Sequence, residues 1–285
     1  MTIIGLGQAG CNLAEAYEDL NDPTYQVKLI DSDIEGPNCF SVPQYNNPEE
    51  CEDNFPDISD FLKDCHSSVT FFIGGGGNIS AASLKILYHL RSRENVFVVY
   101  IRPEPLLVEN VLHEKVVFNV LQEYARSGMF RALVLIDNLS IEEINGDVPV
   151  IDHFKEINKT IFQTMHGLSV SGMKTPIVSN FSKPKSISCI TTYGAYTFED
   201  DNEKLFYNLE NIDWKCYYFF INEEQLRTDG KIYKEIKNRL KNKSVDNIKI
   251  SYIIHSTKSE QNYCIMTAAS SQIQKTDRRL YYENL

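Results

Sequence analysis

Apolar residues in the first half of the chain fall into short continuous runs separated by amphipathic stretches, the signature of alternating strands and helices. TIIGLG predicts a buried strand running into a glycine turn, and NLAEAYEDL a helix after it. VKLIDSD predicts a second strand ending in acids, and residues 34 to 57, rich in Pro, Asn, Asp and Glu, a loop. ISDFLKDC reads as a short helix, VTFFI as a third strand and GGGG as another glycine turn. SAASLKILYHLRS sets Leu84, Leu87 and Leu90 on one side of a helix. VFVVYIRP is a fourth strand stopped by Pro103, residues 108 to 126 a helix, and ALVLID a fifth strand. Near-continuous Val, Ile and Phe in strands separated by helices predict an α/β fold with a parallel sheet covered on both faces.

A long helix is expected from Asp147, through VPVIDHFKEINKTIFQTMHGL, with Pro149 tolerated only in its first turn. Ile151, Phe154, Ile157, Ile161 and Phe162 fall at helical spacing and predict a buried stripe. Beyond it the texture changes. KCYYFFIN, GKIYKEIKNRLK, IKISYIIHS and NYCIMTAAS read as strand, helix, strand, strand, a smaller α+β unit beginning near residue 183. The segment KTDRRLYYENL is polar and aromatic and reads as a mobile tail, and the KSE and DRR clusters as solvated charge.

Composition narrows the function classes. An apolar fraction of 42% excludes wholesale disorder, and 285 residues suffice for two modest domains with real cores. A net charge of −11 supplies no global field for DNA or an anionic membrane, so neither is an expected partner. The seven dispersed cysteines form no C-x-x-C pair, which argues for free thiols in a reducing compartment and against structural zinc. No apolar run nears the ~18 residues of a membrane span, and no targeting segment is evident, so a cytoplasmic protein is expected. The six histidines show no ligand spacing and read as structural or surface residues.

Two glycine turns, at 5–10 and 74–77, each stand between a predicted strand and a predicted helix. That geometry aims backbone N–H groups and a helix N-terminus at one place, which favours phosphate. The first turn, G-x-G-x-x-G with Asp31 downstream to grip a ribose, admits a dinucleotide, another nucleotide or a tight turn with no ligand. The second favours a site that cradles a triphosphate from two sides.

The order of motifs resembles the tubulin/FtsZ superfamily. GQAGCN at 7–12 is similar to its first phosphate loop, and Asp31-Ser32-Asp33 to the N-T-D after its second strand. Asn47-Pro48-Glu49 resembles the A-N-P-E that faces the γ-phosphate, and GGGGNISAAS at 74–83 the GGGTGTGAAP signature. Arg102-Pro103 matches [KR]-P, LVLIDN resembles L-I-x-I-P-N-D, and Asp152-x-Phe154-x-x-x-Asn158 lines up with D-A-F-x-x-x-N. The resemblance implies GTP or GDP held by Gly7, Gln8, Ala9, Asn12, Asp31, Asp33, Asn47, Gly74, Gly75, Gly76, Gly77 and Asn78. Phe154 would stack on guanine, Asn158 would bond its edge, and Glu109, in unclear register with Glu114, would contact the sugar. Mg²⁺ would be reached through Gln8 or Asp33. On the residues alone, packing at a helix start is an alternative for Asn12, though a nucleotide contact is favoured, and Phe154 can equally pack in the core and the acids end a strand.

The resemblance further implies a mostly parallel nucleotide-binding sheet over 1–146, a central helix over 147–173 and a loop over 174–182 that completes the neighbouring subunit's site. An α+β C-terminal domain over 183–274 and a tail over 275–285 follow. The chain would polymerise head-to-tail with itself, its tail docking on a neighbouring subunit, with an adaptor or cargo protein as a further partner. In the interface loop the family has N-x-D. Here Asn180 is present and Ser182 stands at the acid. A serine hydroxyl is a poor base where a carboxylate would orient water, and losing such a group costs about 10²–10⁴-fold. Gly77, Asn78 and Ile79 also depart from Thr-Gly-Thr. The expectation is a GTPase that is slow or impaired, with a non-hydrolysing assembly protein and an NAD-dependent Rossmann-type enzyme as alternatives.

Overall fold

A computed structural model describes residues 1–104, 111–244 and 247–275. These divide into two compact units, 1–133 with 272–275 and 134–271. In the first unit, β1 (Thr2–Leu6), β2 (Gln26–Ser32), β3 (Cys39–Val42), β4 (Ser68–Gly74) and β5 (Asn95–Arg102) form a sheet in the order β3-β2-β1-β4-β5. All four pairings are parallel. α1 (Gly7–Glu18) connects β1 to β2, α2 (Pro48–Asn54) and α3 (Ser59–Leu62) lie between β3 and β4, α4 (Ser83–Leu90) connects β4 to β5, and α5 (Val111–Ser127) follows β5. β2 reaches β3 through residues 33–38 without a helix. Ile3, Ile4, Leu6, Phe71, Phe72, Ile73, Val98 and Val99 are buried, the doubly covered sheet that their continuous apolar runs predict. Leaving β1, the chain goes to β2 on one side, and only later reaches β4 on the other. The β1/β4 boundary is therefore a topological switch point, where the carboxyl ends of the strands open a crevice.

Residues 34 to 57 are not simply a loop. β3 pairs with β2 from Leu29↔Cys39 to Ser32↔Val42, and α2 starts at Pro48 with Asn47 as its cap. The Asn47 side chain accepts from the Glu50 N–H at 2.8 Å, Pro48 takes the first helical position, and Glu49 and Glu50 fill the first turn. This is a complete helix-start signal inside a segment whose composition reads as coil.

β6 (Ala132–Asp137) crosses the division between the units, and α6 (Asn138–Asn145), capped by Asp137 on the Leu139 N–H, follows it. The long helix, α7 (His153–Met173), begins later than expected. Pro149 takes an extended ψ of 137°, so a single 3₁₀ turn at Val150–Asp152 intervenes before the regular helix. The apolar stripe is also divided. Ile157, Ile161 and Met165 are buried, whereas Ile151 is 96% and Phe154 55% exposed, because the stripe runs past what packs on the helix. The rest of the second unit is a mixed sheet in the order β8-β12-β10-β11-β7, built from β7 (Val178–Ser179), β8 (Ile190–Thr197), β10 (Ile212–Asn222), β11 (Lys249–Thr257) and β12 (Tyr263–Ser270). β9 (Asn202–Leu205) pairs with β8. The parallel pair β10–β11 is bridged by α8 (Glu223–Thr228) and α9 (Ile232–Lys243). α9 buries Ile232, Ile236 and Leu240 against Tyr217, Phe219 and Ile254. The expected strand, helix, strand and strand are all present. β8, β9 and α8 are additions that alternation alone did not mark. No helix among the described residues is long and apolar enough to cross a membrane.

Candidate nucleotide site

The first unit brings both glycine turns to the switch point. β1 runs straight into α1 at Gly7, whose φ of +69° is the left-handed conformation that glycine adopts without strain. Gly10 faces β4: a Cβ there would stand 2.7 Å from the Phe72 carbonyl oxygen, so only glycine lets the helix lie this close to the strand. α1 has no side-chain cap and no acid in its first turn, which leaves its first N–H groups and positive end open to an anion. Gln8 and Asn12 are exposed beside it.

The second turn closes on the first. A Cβ on Gly74 would come within 3.1 Å of the Ala9 Cβ, so the two loops touch at Gly74 and Ala9. Gly75 N–H donates to the Ile101 carbonyl at 2.9 Å, and a Cβ on Gly75 would strike the Tyr100 hydroxyl. That hydroxyl donates to Glu114 at 3.4 Å, and Glu114 takes a two-pronged bond from Arg102 at 2.9 and 3.2 Å. Arg102 and Glu114 are both buried, and the guanidinium lies 4.4 Å over the Phe118 ring. Arg102 and Glu114 thus brace the floor of the second turn. A strand of apolar residues interrupted by Tyr100 and Arg102 was the available sign of this support, because a buried charge must be paired.

Past Gly76 and Gly77, Asn78 donates from Nδ2 to the Tyr45 carbonyl at 3.0 Å, and the Cys51 thiol lies 4.0 Å from the Ile79 carbonyl. The signature turn is thereby tied to the segment that carries Asn47 and α2. Asp31 lies half-buried at the penultimate position of β2. Burial raises its carboxyl above the usual range, the Ser32 N–H at 2.9 Å opposes this, and Asp33 adds to the rise. Asp33 is exposed at φ +55° and accepts from Gln44 at 2.6 Å. Both acids stand at the carboxyl end of β2, which pairs with β1. Among the described residues no cluster of three His, Cys, Asp or Glu could hold a metal ion. Mg²⁺ would be held mostly by phosphate and water, with Gln8 or Asp33 at its edge. The glycine cradle and the uncapped helix fit a phosphate chain. Glu109 lies outside the described residues.

The second unit carries the remaining candidates. Phe154 is exposed in the first turn of α7, edge-on to His153 with ring centroids 5.0 Å apart. Asn158 is half-buried one turn later. In the loop after α7, Asn180 behaves as a strand residue: its N–H donates to the Tyr252 carbonyl at 3.2 Å and its Oδ1 accepts from the Tyr252 N–H at 2.6 Å. The Ser182 hydroxyl lies 3.2 Å from that of Ser251, and its carbonyl accepts from Trp214 Nε1 at 2.9 Å. Both side chains are engaged inside their own unit.

No family model matches the sequence, and neither does any curated protein. Solved structures do resemble the chain along nearly all of its length. A GTPγS-bound protofilament of CetZ2 from Haloferax volcanii superposes with a TM-score of 0.66 at 14% identity, covering 99% of this chain and 96% of that one. A GTPγS-form protofilament of TubZ from Bacillus thuringiensis serovar israelensis gives 0.68 at 13%, covering 93% and 85%. FtsZ of M. jannaschii, as a W319Y mutant, gives 0.68 at 15%, covering 94% and 90%. Parallel sheet, glycine turns at its switch point, long helix and mixed second sheet occur here in one chain, and that chain has the tubulin/FtsZ fold in a divergent form.

Proposed function

We propose that this chain is a tubulin-like cytoskeletal protein of the cytoplasm that binds GTP or GDP with Mg²⁺ and polymerises head-to-tail into filaments, with slow or impaired hydrolysis. The observation that carries this reading is the convergence of two uncapped glycine turns at the β1/β4 switch point. One such turn admits many ligands; two in contact suit a polyphosphate. Phe154 offers a flat apolar face and Asn158 a bidentate amide, the chemistry a guanine requires. The similar TubZ and CetZ2 structures are themselves protofilaments carrying GTPγS, which supports both nucleotide and assembly.

Head-to-tail assembly has support in the second unit by itself. α7 spans 21 residues, about 31 Å, and its two ends expose apolar side chains. Val150, Ile151 and Phe154 stand at the start, and Met173, Ile177 and Phe181 at and beyond the finish. Different patches at opposite ends of one element suit a heterologous contact, which propagates into a filament rather than closing as a dimer. An adaptor or cargo protein would bind the filament.

The second reading, an assembly protein that does not hydrolyse nucleotide, is favoured by Ser182: it lacks a carboxylate and its hydroxyl is paired with Ser251. Phosphate release measured against protein concentration, beside pelleting with GTP, GDP and a non-hydrolysable analogue, separates the two. Turnover that rises cooperatively with concentration supports the GTPase; assembly indifferent to nucleotide, with no turnover, supports the second reading. Asn158→Ala is expected to weaken GTP binding by tenfold or more, since an unmet edge of a buried base loses about 1.5–3 kcal/mol. Unchanged GTP affinity in that variant, or NAD binding abolished by Asp31→Ala, would favour the dinucleotide enzyme instead.

A further inference from the structure

Ile79 occupies the space between the two glycine turns. Its Cγ2 methyl is 3.0 Å from where a Cβ on Gly7 would stand, and 3.9 Å from the corresponding position on Gly77. In both cases it is the one atom within 4 Å outside the glycine's own surroundings. The residue is held there from behind. Asn78 is anchored on the Tyr45 carbonyl, the Ile79 carbonyl faces the Cys51 thiol, and Ser80 N–H closes the turn on the Gly77 carbonyl at 3.1 Å. A β-branched side chain on a turn fixed at three points has little freedom to swing away.

The rest of the cradle is suited to an anion: glycines that allow close backbone approach, an uncapped helix start, and no acid in that first turn. The group that projects into it is a hydrocarbon with no donor. A phosphate oxygen placed against it would lose water and gain no hydrogen bond there. From this juxtaposition we infer that Ile79 is the affinity-setting residue of the phosphate cradle, an apolar plug that keeps the nucleotide weakly bound. The inference rests on the nucleotide reading above and deepens it. It places the limit on phosphate affinity in one side chain, within a cradle whose glycines and open helix start suit an anion.

Titration of the full chain with GTP and Mg²⁺, for wild type, Ile79→Ala and Ile79→Ser, tests it. Removing the methyls opens the cradle, and serine adds a donor. Ile79→Ala is expected to bind GTP severalfold more tightly than wild type, and Ile79→Ser about tenfold or more, the worth of one hydrogen bond to a charged group. Thermal melts establish that the variants are folded. Ile79→Thr, β-branched like isoleucine, carries the test if the smaller side chains do not fold. GTP binding gained by the variants, with wild type weak or silent, supports the inference. Equal or weaker binding by the variants, with wild type binding, overturns the inference and leaves the GTP reading standing. Absence of GTP binding in wild type and variants alike overturns both.

Discussion

Single residues account for the sharpest features of the first unit. Gly7 and Gly10 are needed for different reasons, one for a positive φ and the other for helix-to-strand approach. Glu114 is the clearest residue whose role differs from its sequence appearance. In the sequence it reads as a possible sugar contact, yet it is buried with its carboxylate on Arg102. Glu114→Ala should therefore act on the fold, leaving a guanidinium buried without its partner at a loss of roughly 3–5 kcal/mol. Urea unfolding measures this, and a loss under about 1 kcal/mol would show that Arg102 finds another partner. Asn47 is a second such residue, because its side chain caps α2. Asn47→Ala is expected to lower stability by about 1 kcal/mol while Asn47→Asp retains it. Equal melting temperatures for wild type and Asn47→Ala would remove the cap from the account.

Among elements, α7 and β11 meet at a buried pair, Ser171 Oγ and His255 Nε2, 2.7 Å apart, with the imidazole stacked on Phe220. Burial lowers the His255 pKa below its ordinary value, and Lys174 lowers it further. An unfolded imidazole titrates near 6.5. Below that pH the unfolded chain takes up a proton that the folded one resists, so stability falls as pH drops from about 6.5 toward the folded value. His255→Gln should flatten that limb of a stability–pH curve; a slope unchanged in the variant would assign it elsewhere, His113 being the other histidine held low by burial. Glu203 acts in a separate window. Burial pushes its carboxyl up, but Lys215, Tyr217 and Lys243 outweigh this and hold it low. Its stability is present above the ordinary carboxylate pKa of about 4.3 and is lost as pH falls through the folded value.

For the whole molecule, the prediction concerns assembly. At the end of α7 and after it, Met173, Ile177, Phe181 and Ile187 are exposed, Phe181 lying edge-on to Trp214. Ile177→Asp should reduce pelleted polymer severalfold with a melting temperature within a degree or two of wild type, because surface substitutions rarely move stability. Full assembly in this variant would take the patch out of the filament contact.

The parallel sheet was readable because buried strands must be apolar on both faces, and both glycine turns because backbone at that proximity admits only glycine. The smaller α+β unit was readable from its alternation. Short elements were less visible: β3, β9 and α8 have 4, 4 and 6 residues, too few for a period to emerge. α2 was legible through Asn47-Pro48-Glu49-Glu50, although composition masked it. Sequence by itself determined which residues could make a phosphate cradle and which strands carry it, since these follow from local chemistry and hydrophobic period. Tertiary structure alone decided that Glu114 braces Tyr100 and Arg102, that Ser182 turns toward Ser251, and that Ile79 lies over Gly7. Each is a contact across 12 to 72 positions of chain, and no local pattern encodes the distance between residues that only packing brings together.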